Sequence, residues 1–375
     1  MQKQEAAYGL GNLAADNDEI RATISREGAI PPLVTFVKAT TDAQNQWAIY
    51  ALGALSLNNE ANRVAISQEG AISPLVSLVR TGTSAQKQWA AYTLGNLAYN
   101  DDNRVNITLK GAITPLVTLL QSGTDAQKQW SAYALGNLAC DNEAIREAVE
   151  LDDAILPLVE LVRSGSDPQK QEAAYTLGNL AASSDTNRDE IGREGAIAPL
   201  VELLRTGDND QKHWVAYALA CIAQNNEANR ISMVDEGVIT PLVTLVLGGT
   251  DDQKTQALRA LGTLASVIDE DTNFVFPSEE VITPLMDFLR TGTNAQKANA
   301  AVALRKLASS NMENCGTMVR GGAIPLLEML VKTGSDTQKL SGFAALEKLR
   351  SVPSVHDLTT VGNLLHGVAV GWVTS

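Results

Sequence analysis

The segment QKQWAAYTLGNLA, residues 86–98, recurs along the whole chain and decides its fold. Nine copies, some of them diverged, begin 41 to 43 residues apart, at Gln2, Gln44, Gln86, Gln127, Gln169, Gln211, Gln253, Gln296 and Gln338. A fixed period of this size is typical of helical repeats that stack side by side into one body. The 375 residues therefore predict one repeat array rather than two globular domains.

Residues 86–98 have the periodicity of a helix with two different faces. The small and aliphatic positions form one stripe, which predicts the buried face. Trp89, Tyr92 and Asn96 fall within roughly 40° of one another on the other side. Because large aromatic side chains are costly to leave in water, a stripe of them that recurs in every repeat predicts an interaction surface.

Two further helices precede this one in each unit. A short helix, as over residues 60–67, ends at a residue suited to a left-handed turn. That residue is Gly28, Gly70, Gly111, Gly195, Gly237 or Gly322, with Asp153 and Glu280 at the same place in two units. The motif Ala-Ile-x-Pro-Leu-Val-x-Leu follows, as at 71–78, and its proline suits the first turn of a second helix.

Capping boxes predict where each third helix begins. A Ser, Thr or Asp stands three residues before the opening glutamine, so that the two side chains can each bond the other's backbone. The pairs are Thr41 with Gln44, Thr83 with Gln86, Thr124 with Gln127, Ser166 with Gln169, Asp208 with Gln211, Thr250 with Gln253, Thr293 with Gln296 and Ser335 with Gln338. The repeat is thus short helix, helix, long helix, in about 42 residues.

These motifs resemble the armadillo repeat, and the third helix is closest to that of importin-α-type adaptors and consensus armadillo arrays. The resemblance implies an all-α, right-handed α-solenoid with three helices in each repeat. It covers residues 1–351, with a partial first repeat at 1–14 and about eight repeats after it. Residues 352–375 are apolar and glycine-rich, and we expect them to form a C-terminal capping segment.

The resemblance also implies a site on the concave wall, where an acidic or other residue, a Trp and an Asn stand at three offsets of the third helix. This chain mostly carries Trp at the first of these offsets and Tyr at the second. In such proteins the Asn grips the backbone of an extended peptide, and the aromatic rings form slots for its side chains. The matching peptide-binding candidates here are Glu5, Tyr8, Asn12, Trp47, Tyr50, Trp89, Tyr92, Asn96, Trp130, Tyr133, Asn137, Glu172, Tyr175, Asn179, Trp214 and Tyr217.

The pattern departs from the family at several of these offsets. Ala54 and Cys221 replace the Asn in two repeats. The last three repeats carry Gln256, Arg259 and Thr263, then Asn299, Val302 and Lys306, then Ser341, Ala344 and Lys348. The basic amino-terminal segment of the importers does not appear in this sequence. These departures weaken an assignment to nuclear import more than one to peptide binding.

An asparagine can answer both polar groups of an extended chain, since its side chain has one acceptor and two donor hydrogens. One repeat for every two peptide residues is plausible, because packed helices lie about 8–10 Å apart and two extended residues span about 6.6–6.8 Å. An alternative stays open: the Asn bonds only its helical neighbours, and the rings only pack between third helices. A recurring lysine at each helix start, such as Lys87, is interpreted as a solvated edge residue.

Charge and reactive residues narrow the function classes. A net charge of −14 disfavours nucleic acid and favours basic partners. Cys140, Cys221 and Cys315 are far apart and lie at no metal-binding spacing, and the three histidines, His213, His356 and His366, stand in no catalytic motif. We therefore expect no enzyme, no cofactor, no metal and no membrane span, and a cytoplasmic or nuclear location.

The sequence thus predicts a scaffold or adaptor that holds extended basic or mixed segments of partner proteins. Alternatives are a nuclear-import-type adaptor for basic localisation signals, a catenin-like junction or signalling scaffold, and a self-assembling array joined end to end. Residues 1–14 begin inside a third helix, which leaves open a longer protein or a half-repeat that caps the array. Phe274, Phe276 and Pro277 stand where a first helix is expected, so the last repeats are predicted to be irregular.

Overall fold

The computed structural model describes residues 2–39, 45–265, 278–310 and 312–351, and this part of the chain contains 24 α-helices and no β-strand. The chain divides into two compact units, Met1–Leu203 (unit 1) and Leu204–Ser375 (unit 2). The helices follow one another in sets of three through most of the chain, which confirms the predicted all-α repeat architecture.

The helices that carry the QKQWAAYTLGNLA segment, here called the third helices, are the longest of each repeat. They are α1 (Gln2–Ala15), α4 (Gln46–Ser56), α7 (Ser84–Leu97), α10 (Asp125–Ala139), α13 (Asp167–Ala181), α16 (Asn209–Ile222), α19 (Asp251–Leu264), α21 (Asn294–Ser310) and α24 (Asp336–Arg350). In unit 1 each third helix packs against the next, from α1 to α13. In unit 2 the same holds from α16 to α24.

The first and second helices are shorter. The first helices are α2 (Asp18–Arg26), α5 (Glu60–Gln68), α8 (Asp101–Leu109), α11 (Glu143–Leu151), α14 (Asp185–Arg193), α17 (Glu227–Asp235) and α22 (Met312–Arg320). The second helices are α3 (Ile30–Ala39), α6 (Ile72–Thr81), α9 (Ile113–Ser122), α12 (Ile155–Ser164), α15 (Ile197–Thr206), α18 (Ile239–Gly248), α20 (Ser278–Thr291) and α23 (Ala323–Thr333).

Seven of the eight predicted capping boxes are present. At α7, for example, the backbone N–H of Gln86 donates to Thr83 Oγ1 at 3.3 Å and that of Thr83 donates to Gln86 Oε1 at 2.8 Å. The eighth pair, Thr41 with Gln44, lies outside the described residues. The box fixes helix starts because both bonds use groups that are only three residues apart.

Left-handed turns join the first and second helices, as predicted. The six glycines at this place have φ between 71° and 82°, and Asp153 adopts φ 57° in the repeat that lacks the glycine. Glu280 differs, since it lies inside α20, which runs on without a turn and contains Pro284. Residues 352–375, with the predicted capping segment, and the irregular positions Phe274, Phe276 and Pro277 lie outside the described residues.

An arginine on each of several first helices ties that helix to the end of the third helix before it. The Arg104 guanidinium donates to the Ala98 carbonyl at 3.1 Å, and the Arg146 guanidinium donates to the Ala139 carbonyl at 2.9 Å. These carbonyls have no partner inside their own helix, so the guanidinium groups satisfy them. The arginine therefore fixes the angle at which each repeat leaves its third helix.

Candidate functional site

Glycines bring neighbouring third helices of unit 1 unusually close. A Cβ at Gly95 of α7 would lie only 2.6 Å from Cδ1 of Tyr133 on α10. The same approach joins Gly11 to Tyr50, Gly53 to Tyr92 and Gly136 to Tyr175. Each tyrosine ring therefore occupies the space that a side chain on the preceding helix would take.

The rings of unit 1 form a continuous series of edge contacts, here called the aromatic row. It consists of Tyr8, Trp47, Tyr50, Trp89, Tyr92, Trp130 and Tyr133. The tyrosine of one repeat meets the tryptophan of the next with centroids 4.6 to 4.7 Å apart, in three successive steps. Within a helix the tryptophan and tyrosine are 5.8 to 6.3 Å apart. These separations lie in the range in which aromatic pairs attract.

The aromatic row is neither sealed in the core nor fully open. Tyr8 is 46% exposed and Tyr92 is 9% exposed, whereas the three tryptophans and Tyr50 are half-buried. Burial raises the pKa of Tyr50, Tyr92 and Tyr133, so these hydroxyls remain protonated at neutral pH. The row therefore presents uncharged ring edges and faces at the protein surface.

The asparagines at the third offset bond the neighbouring repeats. This differs from the expectation that they face away from the core. Asn96 is 1% exposed; its Nδ2 donates to the Gly53 carbonyl at 3.1 Å, and its Oδ1 accepts from the Tyr133 hydroxyl at 2.6 Å. Asn137 is held in the same way, by the Gly95 carbonyl at 3.1 Å and the Tyr175 hydroxyl at 3.0 Å.

Asn179 follows the same rule, since its Nδ2 donates to the Gly136 carbonyl at 2.9 Å. The physical reason is the glycine contact: helices that approach this closely leave the carbonyl of the preceding helix within reach of the amide. The alternative in which the amides bond their helical neighbours is thus the arrangement observed. Asn12 is exposed, and its Oδ1 lies 3.5 Å from the Tyr50 hydroxyl.

Glu172 takes the place of a tryptophan in the fifth repeat. Its side chain is half-buried, and this burial raises its pKa from 4.5 to about 7. The carboxyl influences the titration of both Tyr133 and Tyr175, so it lies beside the aromatic row. Glu5, at the equivalent offset of α1, is exposed instead. The sequence could not show that Glu172 is desolvated, because its burial arises from neighbouring repeats.

The two residues that replace the asparagine are buried. Ala54 and Cys221 both have no exposed surface, so no side chain at these offsets reaches the solvent. Trp214 and Tyr217 of unit 2 keep the aromatic pair, with centroids 6.0 Å apart. The Arg259 guanidinium lies over the Tyr217 ring, 5.6 Å from its centroid. Unit 2 thus replaces the next aromatic contact by a cation.

Sequence reasoning missed Tyr99, which follows α7 and lies outside the repeat motif. Tyr99 is 52% exposed, its ring lies 6.4 Å from that of Tyr133, and the Arg63 guanidinium is 5.7 Å from its centroid. It therefore widens the aromatic surface at the third repeat. Sequence reasoning could not find Tyr99, because the residue lies outside the recurring segment and its exposure depends on how neighbouring repeats pack.

Two further findings concern the described residues. No group of three or more His, Cys, Asp or Glu side chains in this part of the chain is arranged to hold a metal ion. No single described helix is long and apolar enough to cross a bilayer; only α17 and α18 together, bent by 81°, reach that length and composition.

Comparison with known proteins identifies the fold. No protein-family model and no curated protein matches the chain. The crystal structure of an engineered protein is 27% identical and has a TM-score of 0.75, over 93% of this chain and 85% of that chain. A designed armadillo repeat protein in complex with the peptide (KR)4 is 23% identical, with a TM-score of 0.55, over 63% of this chain and 99% of that chain.

Computationally designed armadillo repeat proteins for modular peptide recognition are also similar. One is 24% identical, with a TM-score of 0.55, over 62% of this chain and 99% of that chain. These likenesses bear on the fold, and they agree with the array of sequential helical repeats. By fold, the chain is an armadillo-repeat protein, an all-α solenoid.

Proposed function

We propose that the chain is a protein-binding scaffold that holds extended, basic or mixed peptide segments of partner proteins along the third helices of unit 1. The observation that carries this proposal is the aromatic row, whose rings contact one another from Tyr8 to Tyr133 and remain partly exposed. Designed proteins of the same fold are described as binding (KR)4 or as built for modular peptide recognition, which supports the proposal.

The rings favour cationic and aliphatic side chains for a physical reason. A lysine or arginine over a partly desolvated ring gains about 0.5–2 kcal/mol, and its aliphatic stem covers apolar surface as well. At the three offsets of unit 1 the only charged side chains are Glu5 and Glu172, both acidic. The row therefore attracts basic segments electrostatically and disfavours acidic ones.

The proposed backbone grip by asparagine would add peptide hydrogen bonds to those that already join the repeats. Asn96 Nδ2 already donates to the Gly53 carbonyl, and an amide nitrogen has a second hydrogen that a peptide carbonyl can accept. The Asn96 oxygen likewise has a second lone pair beside the Tyr133 hydroxyl. In this proposal the Asn and Tyr side chains shift outward together when a peptide lies on the row.

The test is a titration of the full chain with labelled unstructured peptides of about 12 residues, enough to span several repeats at two residues each. One peptide is Lys- and Arg-rich, one is neutral and one is acidic, each at two salt concentrations. We expect the basic peptide to bind most tightly, and the double variant Trp89→Leu with Trp130→Leu to weaken it roughly tenfold, because leucine keeps apolar packing without a π face.

Phe343→Leu is the matched control. Phe343 is a 54% exposed aromatic residue on α24 of unit 2 and is not a member of the aromatic row, so the same chemical change there should leave the affinity unaltered. Equal binding of all three peptides, or equal loss in the control, would count against the aromatic row as the site.

A second candidate function, end-to-end self-association, is favoured by one observation. Leu10 of α1 and Leu33 and Phe36 of α3 line an apolar cavity of about 710 Å³. Such a surface can receive an apolar helix of a second copy. Sedimentation over a wide concentration range, with Leu10→Glu for comparison, tests it: only a concentration-dependent association that the variant abolishes supports this function.

A further inference from the structure

The histidine of α16 lies against α19, the third helix that follows it in unit 2. The two helices pack side by side. The His213 ring bonds the backbone of Asp252, and the Asp252 carboxylate acts on its titration. Asp252 and Gln256 are four residues apart on α19, so they lie on the same face of that helix. The His213 ring therefore lies on the face of α19 that carries Gln256.

The next pair of third helices shows the same contact. Asn299 of α21 donates from its Nδ2 to the Thr255 carbonyl of α19 at 3.2 Å. Counted from the opening glutamines, Asn299 occupies the place of Gln256. Thr255 likewise occupies the place of His213. A polar side chain at the place of Gln256 thus reaches the residue at the place of His213 on the preceding helix.

Both His213 and Gln256 have a buried polar atom that lacks a partner. Within the part of the chain that the structure describes, neither His213 Nδ1 nor Gln256 Oε1 has a hydrogen-bond partner. The hydrogen bond of the ring to the Asp252 backbone therefore uses the other ring nitrogen, Nε2. Buried polar atoms are rarely left unsatisfied, because each one has given up its bonds to water. Two such atoms at one helix contact point to a missing hydrogen bond.

A single proton can supply that hydrogen bond. When Nε2 carries the hydrogen of a neutral imidazole, Nδ1 has only a lone pair, and the amide oxygen of Gln256 also offers only lone pairs. Two acceptors cannot bond each other. When Nδ1 takes a proton from the solvent it becomes a donor, and Gln256 Oε1 can accept its hydrogen.

The surroundings of the ring set the pH at which this happens. Burial lowers the pKa of His213, and it outweighs the carboxylates of Asp252 on α19 and Asp210 in the first turn of α16, which favour the charged ring. These two acids are the charged groups that act on the ring. Trp214 covers one side of it, with the ring centroids 4.5 Å apart. His213 is therefore neutral at pH 7 and becomes charged in acid solution.

We propose that His213 and Gln256 form a proton-dependent latch between α16 and α19, open at neutral pH and closed in acid by a hydrogen bond from Nδ1 to Oε1. At the place of His213 the other third helices carry Gln, Thr, Ala or Leu, which do not titrate. The latch therefore makes one contact between repeats sensitive to pH. It lies beyond the proposed function of the aromatic row and does not depend on it.

The experiment is an NMR titration of the full chain with isotope-labelled histidine, in which His213→Gln assigns the ring signals. Gln256→Met keeps the length of the side chain but removes the oxygen, and we expect it to lower the His213 pKa by about one unit. Gln256→Glu should raise it, because a carboxylate accepts the same bond and adds a negative charge. Thr255→Val is the matched control on α19, since the Thr255 hydroxyl donates to the Asp251 carbonyl at 2.7 Å and its loss should leave the pKa unchanged.

Chemical denaturation gives a second readout. Because the pKa of His213 is lowered in the folded state, its contribution to stability falls as the pH drops below the ordinary 6.5. Gln256→Met should steepen this fall, so that its unfolding constant at pH 5 exceeds that of the parent severalfold, whereas at pH 8 the variant should be as stable as the parent or more stable. An unchanged His213 pKa in Gln256→Met, an equal change in Thr255→Val, or an equal cost of Gln256→Met at both pH values overturns the proposal.

Discussion

The same three offsets of the same helix carry rings in one half of the molecule and cations in the other. In unit 1 these offsets carry Trp89, Tyr92 and Asn96 and their counterparts, and their only charged residues are Glu5 and Glu172. In unit 2, beyond α16, the same offsets carry the cations Arg259, Lys306 and Lys348. The capping boxes and left-handed turns continue through both units. The two units therefore share the same helical repeat, but they carry different side chains at the three offsets.

The comparison also explains how the exchange is possible. A tyrosine in one repeat requires a glycine in the repeat before it, as for Tyr133 and Gly95. Where the tyrosine is lost, at Ala344, the glycine is free to become Arg305. The Gly95–Tyr133 pair and the Arg305–Ala344 pair are thus alternative solutions of one packing contact between neighbouring third helices.

The largest expected effect comes from breaking this contact. Gly95→Ala would place a Cβ 2.6 Å from Tyr133 Cδ1 and 3.2 Å from the Ala134 Cα, so ring and backbone must both shift. We expect a loss of about 3 kcal/mol in the free energy of unfolding, in the upper range for overpacking. Chemical denaturation followed by tryptophan fluorescence measures it, since the affected tryptophans lie in the aromatic row.

Gly262→Ala is the matched control in unit 2. The new Cβ would lie 3.4 Å from the Ala303 Cβ, an ordinary contact. Alanine is a better helix former than glycine by up to about 1 kcal/mol, so this variant should be neutral or slightly more stable. Similar losses in both variants would mean that the glycine–tyrosine contact is not what distinguishes the two rows.

Glu172 provides the next largest effect of a single substitution, because it is the desolvated acid beside the aromatic row. Its folded pKa of about 7 lies above the ordinary 4.5, so the folded state binds more protons than the unfolded state between these values. Its contribution therefore lowers stability as pH rises from about 4.5 to 7, and the full cost applies above 7. Glu172→Gln should thus gain about 2 kcal/mol at pH 8, after a discount for its partial exposure.

At pH 4 the glutamine and the protonated glutamic acid are alike, so the gain should disappear. Denaturation midpoints of the two proteins across this pH range provide the measurement. Glu5→Gln is the control, since Glu5 is exposed at the equivalent offset and should show no such dependence. A constant difference between Glu172→Gln and the parent at all pH values would show that the carboxyl titrates normally.

Local sequence features predicted the helices. They did not predict the hydrogen bonds and the burial of the side chains at the candidate site. Thr83 and Gln86 fix a helix start through bonds three residues apart, and Gly111 fixes a turn through its own φ of 73°, so both can be inferred from the sequence. The direction of the Asn96 amide depends on how closely two helices approach, which is set by Gly53 in another repeat. The desolvation of Glu172 and the crowding of Lys306 likewise arise only between repeats.

Removing two asparagines sharpens the comparison within unit 1. Asn96→Ala with Asn137→Ala leaves the Gly53 and Gly95 carbonyls and two tyrosine hydroxyls without their partners. We expect about 1–2 kcal/mol of lost stability per site. If the amides also grip a peptide backbone, affinity for basic peptides falls by a comparable amount for each residue, measured where both proteins are fully folded.

Asn314→Ala controls for stability alone. Asn314, on α22 of unit 2, is buried, and its Nδ2 donates to the carbonyl of Leu307 on α21 at 3.0 Å; neither residue belongs to the aromatic row. It should lower stability without changing the affinity for a basic peptide. If the Asn96 and Asn137 changes also leave the affinity intact, the amides serve only to join repeats, and the rings alone hold the peptide.

The smallest expected effect is a pH dependence of peptide binding at the aromatic row. A basic side chain next to Glu172 favours its ionised form, so binding of a basic peptide should strengthen severalfold from pH 6 to pH 8. Fluorescence anisotropy at several pH values measures this slope. Glu172→Gln should flatten it, because Glu172 is the group beside the aromatic row whose pKa of about 7 lies within this range. If the slope persisted in this variant, another group would set the pH dependence of binding.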